Sequence, residues 1–135
     1  MPLKNIRMGM ITKEDFPRIV EAGLELRRLP AQFDFSPART PVEIRSIAQL
    51  KQADIIFIDY LQLIAPPKQY SSRQEEVAAI SRSLKLIAKD LNIPVVALVQ
   101  LSRQTEHRSD KRPTLADIRE SGQIEQDADI VMFLY

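Results

Sequence analysis

Cysteine is absent from the 135-residue chain, so disulfides and thiolate metal sites are excluded. That lack is compatible with a cytoplasmic setting. Histidine is nearly absent too. His107 is the only one, and without a second histidine or a cysteine it is a poor candidate for a metal ligand or catalytic base. Glycine is scarce: Gly9, Gly23 and Gly122 precede Met10, Leu24 and Gln123. No Gly-Lys pair exists, which excludes a phosphate-cradling loop of the form G-x-x-x-x-G-K-[ST]. Charge of one sign is missing as well. A net charge of +1 leaves no overall basic footprint, so any nucleic-acid contact has to come from a local patch. The apolar runs are short and bounded, so no segment is expected to span a bilayer. The start, from Met1 to Arg7, has no apolar stretch of the kind a signal peptide needs. Internal repeats and low-complexity tracts are also lacking.

What is present is an ordinary globular composition, 44% hydrophobic and 27% charged. Helical and strand periods alternate along it, the α/β signature. Thr12 and Asp15 predict a helix start. The apolar face Phe16, Ile19, Val20, Gly23, Leu26 and Leu29 follows, and Pro30 ends it. Gln32 to Ser36 fits a short strand. Thr40-Pro41-Val42-Glu43 predicts a second helix running to about Lys51. A third begins near Ser72 with Glu75, and its stripe Val77, Ile80, Leu84, Ile87 and Leu91 steps by three and four. Thr114 and Asp117 open a short fourth helix. Asp54–Asp59, Ile93–Gln100 and Asp129–Tyr135 read as strands of the kind buried on both faces of a parallel sheet. Phe16, Phe33, Phe35 and Phe57 read as core. Ending on such a strand is what a fragment would do.

Several residues can carry chemistry. Asp59 follows an apolar run at a strand's carboxyl end, where a carboxylate can orient Mg²⁺ beside phosphates. The plainer reading is a solubilising residue or a helix cap. Gln100 ends the next strand, and its amide can sense a γ-phosphate or can simply leave the core. Arg119-Glu120-Ser121-Gly122 can grip a nucleic-acid backbone, or can be a turn with a surface ion pair. Arg103, Arg108, Lys111 and Arg112 can line a channel for single-stranded DNA or form a solvated loop.

In combination these segments are more specific than any one alone. Ile56-Phe57-Ile58-Asp59-Tyr60-Leu61-Gln62-Leu63-Ile64 resembles the Walker B motif of DnaB-type replicative DNA helicases. Pro94 through Gln104, ending Gln100-Leu101-Ser102-Arg103-Gln104, resembles that family's third motif. Arg112-Pro113 and Asp117 through Asp129 resemble its fourth. The resemblance covers nearly the whole chain. It implies one partial RecA-like domain over residues 1–135, an α/β fold whose mostly parallel sheet is flanked by helices. It further implies ATP and Mg²⁺ as cofactors, single-stranded DNA as a partner, and a homohexameric, membrane-free, cytoplasmic parent. By the same resemblance Asp59 is the Mg²⁺-organising acid. Gln100 couples the γ-phosphate to the DNA loops, and Arg119, Glu120 and Gly122 touch DNA phosphates.

The family's P-loop and catalytic glutamate would lie upstream of Met1, and its arginine finger beyond Tyr135. The chain alone is therefore expected to be an inactive part of an ATP-dependent helicase. A non-enzymatic DNA- or helicase-binding module derived from the motor is the alternative. A RecA-type recombinase relative is a third reading, disfavoured by the Asp-Tyr-Leu-Gln and Arg-Glu-Ser-Gly segments. Without the P-loop strand the sheet is expected to re-pair, to dimerise, or to persist as a stable subdomain.

Overall fold

The computed structural model describes residues 2–102, 108–118 and 122–135. They form two compact units, Met1–Phe35 and Ser36–Tyr135.

The first unit holds α1 (Leu3–Arg7) and α2 (Asp15–Arg28). Sequence periodicity missed α1, which is only five residues long. It ends because Gly9 adopts φ 68°, letting its N–H bond to the Ile6 carbonyl and the Met10 N–H to the Asn5 carbonyl. These two bonds are a Schellman closure, and the positive φ explains why glycine stands there. At the head of α2 the Thr12 hydroxyl accepts from the Asp15 N–H at 3.2 Å and donates to Asp15 Oδ2 at 2.8 Å. The expected pair thus forms, although regular helix begins only at Asp15. No residue of α1 or α2 is buried.

Residues 31–36 form no strand, contrary to expectation. Phe33 and Phe35 instead stack on each other at 6.1 Å and stay exposed. Phe16 and Phe57 are exposed as well, so all four phenylalanines assigned to a core lie outside it. An apolar side chain joins a core only where another element covers it.

The second unit is built around a long helix, Arg73–Leu91, numbered α4 in chain order. Its residues Val77, Ile80, Leu84 and Ile87 are buried, as the three-and-four spacing predicts. Ser72 caps it by accepting from the Glu75 N–H. Glu75 reaches back to Ser71 rather than to Ser72, so the box is shifted by one residue. Asn92 closes the helix in the left-handed region at φ 53°. The preceding helix, α3 (Pro41–Leu50), carries the full Thr40–Glu43 capping box with Pro41 in its first turn. Strands β1 (Ile56–Ile58) and β2 (Val95–Ala97) pair in parallel, with Ile56 opposite Val95 and Ile58 opposite Ala97. The helix α5 (Gly122–Asp127) packs on α4. Leu61, Ile64, Ile118 and Ile124 complete the core, with Ile56, Ile58, Val95 and Ala97 half-buried against it.

Three strand expectations need correction. The first two assigned strands are shorter than their apolar runs, and the second face of β1 is bare: Phe57 is 71% exposed, whereas β2 is half-buried throughout. Asp129–Tyr135 joins no ladder among the described residues. It keeps the alternation of a strand, with Val131 and Phe133 packed inward and Ile130, Met132 and Leu134 outward. The Thr114–Asp117 segment is a single 3₁₀ turn, Leu115–Asp117, rather than a helix. No described helix is long and apolar enough to cross a membrane.

Candidate nucleotide and nucleic-acid site

The parallel pairing brings two predicted residues to one end of the sheet. Asp59 follows the last residue of β1, and Gln100 stands three residues beyond β2. Ligands of open α/β sheets collect at this carboxyl edge. The two tips are stitched together past the ladder: the Leu98 N–H donates to the Ile58 carbonyl at 2.9 Å, and the Leu98 carbonyl accepts from the Leu61 N–H at 2.9 Å. Between these bonds lies the Asp59–Tyr60 peptide, which is cis. Asp59 and Gln100 are exposed, and Tyr60 is half-buried.

A second tether comes from α4. The Arg73 guanidinium donates to the Gln62 carbonyl at 2.7 Å and pairs with Glu76. Arg73 therefore fixes the 3₁₀ turn Leu61–Leu63 that follows Asp59. Sequence reasoning did not single it out, because a surface arginine in a first helical turn gives no local sign of an eleven-residue backward reach.

Beyond Gln100 the chain meets the segment of the fourth motif. Leu101 bridges Ile118 antiparallel, and the Ser102 N–H donates to the Asp117 carbonyl at 2.8 Å. Asp117 is itself buried. Its Oδ2 accepts from the Thr114 N–H at 2.8 Å, the Thr114 hydroxyl at 2.9 Å and Arg108 Nη2 at 2.5 Å. The Thr114 backbone bond, then the Thr114 hydroxyl and Arg108, hold the carboxyl below its ordinary value; partial desolvation opposes them. Arg108 is thus engaged in holding the fold, which a basic channel residue need not do. Arg112 lies over the Tyr135 ring at 6.0 Å. Arg108, Ser109, Asp110, Arg112 and Thr114 line an open depression of about 330 Å³.

Gly122 opens α5, exposed, and a side chain there would meet nothing within 4 Å. Arg119 and Glu120 lie outside the described residues, as do Arg103 and His107. Asp59 has no cluster of further His, Asp or Glu ligands among the described residues. A single carboxylate with water and phosphate oxygens is the donor set Mg²⁺ takes in nucleotide sites, so Asp59 fits that ion. The phosphates themselves find no lysine cradle in this sequence.

The family model for the DnaB-like helicase C-terminal domain matches residues 1–135. The chain belongs to that family. It is 48% identical over 137 residues to the replicative DNA helicase DnaB of Geobacillus stearothermophilus, covering 98% of this chain and 30% of that protein. Against DnaB of Mycobacterium leprae (strain TN) the identity is 44%, over 98% of this chain and 23% of the relative. The chain thus spans less than a third of the length of these curated relatives. Among solved structures, one described as an ATPase domain superimposes with a TM-score of 0.89 at 38% identity, over all of this chain and 50% of that one. A DnaB-like replicative helicase, described with its interactions with primase, matches with a TM-score of 0.80 at 40% identity, over 87% of this chain and 30% of that one. The fold of this DnaB-family chain is accordingly a partial RecA-like α/β fold.

Proposed function

We propose that the chain is one portion, 1–135, of the motor domain of an ATP-dependent, homohexameric replicative helicase that translocates on single-stranded DNA in the cytoplasm. The observation that carries this reading is the stitched pair of strand tips, which presents Asp59 and Gln100 together at the carboxyl edge of a family-matched sheet. In the parent, Asp59 holds Mg²⁺, and the ion with ATP supplies neutralisation of phosphate charge. Gln100 offers both a donor and an acceptor toward the γ-phosphate. The chain after Gln100 is tied through the Leu101–Ile118 bridge and the Ser102–Asp117 bond to the segment that leads to Arg119, Glu120 and Gly122, the residues assigned to DNA phosphates, so a shift at Gln100 is passed that way.

The phosphate cradle, the water-activating acid and the arginine finger belong to other parts of the motor. Isolated chain therefore has no helicase or ATPase activity. The test is to replace the matching segment of Geobacillus stearothermophilus DnaB with this chain and to measure DNA-stimulated ATP hydrolysis and unwinding. The chimaera is expected to be active. Asp59→Asn in it lowers kcat on the order of 10²-fold, the scale of losing one electrostatic group at a transferring phosphoryl. Turnover at motor rates by the isolated chain, or an indifferent Asp59→Asn chimaera, would overturn the reading. Oligo-dT binding by the isolated chain without hydrolysis would favour the non-enzymatic module instead.

A further inference from the structure

The guanidinium of Arg108 is spent on the protein itself. A side chain that serves a DNA channel keeps its charge open to phosphates. Arg108 Nη2 instead donates to Asp117 Oδ2 at 2.5 Å and to the Arg112 carbonyl at 3.2 Å. In that pair the Asp117 side chain is only 9% exposed. The same carboxylate oxygen accepts from the N–H and the hydroxyl of Thr114, which closes the turn Leu115–Asp117. Thr114 lies three residues from Asp117, so it shapes the turn without placing it. Arg108 lies nine residues away, and its bond fixes where the loop returns.

The other side of Asp117 shows what is being placed. Its carbonyl accepts from the Ser102 N–H, and its buried neighbour Ile118 bridges Leu101. Asp117 thus joins the end of the third motif through its main chain and the basic loop through its side chain. The residue after Ile118 is Arg119, the first of those assigned to DNA phosphates. Consecutive Cα atoms lie about 3.8 Å apart, so a slip of the Asp117 turn is felt at once at Arg119.

We propose that Arg108 is a positioning residue for single-stranded DNA and not a phosphate contact: its pairing with Asp117 sets where the segment from Arg119 to Gly122 meets the DNA backbone. This inference rests on the motor reading above and deepens it. Charge separates it from direct contact. Arg108→Gln removes a positive charge and Asp117→Asn a negative one. If Arg108 met phosphates, or acted only through its field, the first substitution would weaken DNA binding. The second would strengthen it, by releasing the guanidinium and removing a repelling charge. A positioning pair requires both to weaken it. The asparagine amide has one oxygen where the carboxylate has two, and its NH₂ donates where Arg108 and Thr114 need an acceptor.

The test is binding of fluorescent oligo-dT by the DnaB chimaera described above, titrated over a range of salt, together with hydrogen exchange of the isolated chain. Arg108→Gln and Asp117→Asn are each expected to weaken binding about tenfold. The double substitution should cost no more than either alone, because both remove the same pairing. The slope of log affinity against log salt should stay at the unsubstituted value in all three. Arg119→Ala is the reference for a true phosphate contact, and its slope should become shallower by about 0.7 for each contact removed. In the isolated chain Arg108→Gln should accelerate exchange at the Ser102 amide. Tighter binding by Asp117→Asn overturns the proposal. So does a shallower slope in Arg108→Gln, additive losses in the double substitution, or unchanged exchange at Ser102. An Arg119→Ala chimaera with unaltered affinity and slope instead strikes the DNA assignment in the motor reading, and the proposal falls with it.

Discussion

The two units have comparable apolar patterns and opposite outcomes. Residues 1–35 contain a fourteen-residue helix with a clear apolar face, and nothing in α1 or α2 is buried. Residues 36–135 contain a nineteen-residue helix of similar periodicity whose stripe is the centre of the core. Periodicity states which side of a helix wants cover. Whether cover arrives is decided by the elements packed against it, and α4 has α3, α5, β2 and the Leu61–Leu63 turn.

That contrast can be broken most sharply by truncation. Ile80→Ala removes a side chain with no exposed surface and is expected to destabilise the second unit by about 2–5 kcal/mol. Leu24→Ala, on the half-exposed face of α2, should change stability by less than about 0.5 kcal/mol. Urea unfolding followed by far-UV circular dichroism checks both, and equal effects would erase the distinction. A smaller effect separates the two helix starts. Thr40→Ala opens a complete capping box on a helix packed against α4 and should lower the urea midpoint by the equivalent of about 1 kcal/mol. Thr12→Ala should only fray α2 and leave that midpoint in place.

The smallest effect is acid-dependent. Asp117 titrates below its ordinary value of 3.8 because the folded state favours its charged form. Its contribution is therefore fully present above about pH 4 and is lost as the pH falls through the lower folded value. Hydrogen exchange at the Ser102 amide, which bonds to the Asp117 carbonyl, should accelerate over that acid window. In Asp117→Asn the acceleration should be absent, with exchange faster at neutral pH.

Local chemistry made α3 and α4 legible, while α1, α5 and the Thr114–Asp117 turn escaped it. The Thr40–Glu43 box, Pro41 and the α4 stripe each lie within a few residues of one another, and each formed. The sheet was legible in kind but not in extent. Asp129–Tyr135 carries the alternation of a strand, yet a ladder needs a partner chain segment, and none of the described residues provides one. Phe57 failed as a core residue for the same reason. At the site, Asp59 could be placed at the tip of β1 from the end of its apolar run, whereas the run ending in Gln100 overshoots β2 by three residues. The Arg73–Gln62 and Arg108–Asp117 contacts could not be placed, because each depends on a turn returning the chain to a position that no spacing rule specifies.

The bonds at Leu98 have one more implication. Both are made by its peptide groups, donating to Ile58 and accepting from Leu61 on either side of Asp59. The splint between the two strand ends is therefore written in main chain, and the identity of the side chain at 98 is irrelevant to it. Mutational drift can pass over that position freely and leave the spacing of the two strand ends intact, provided the newcomer still carries an amide hydrogen.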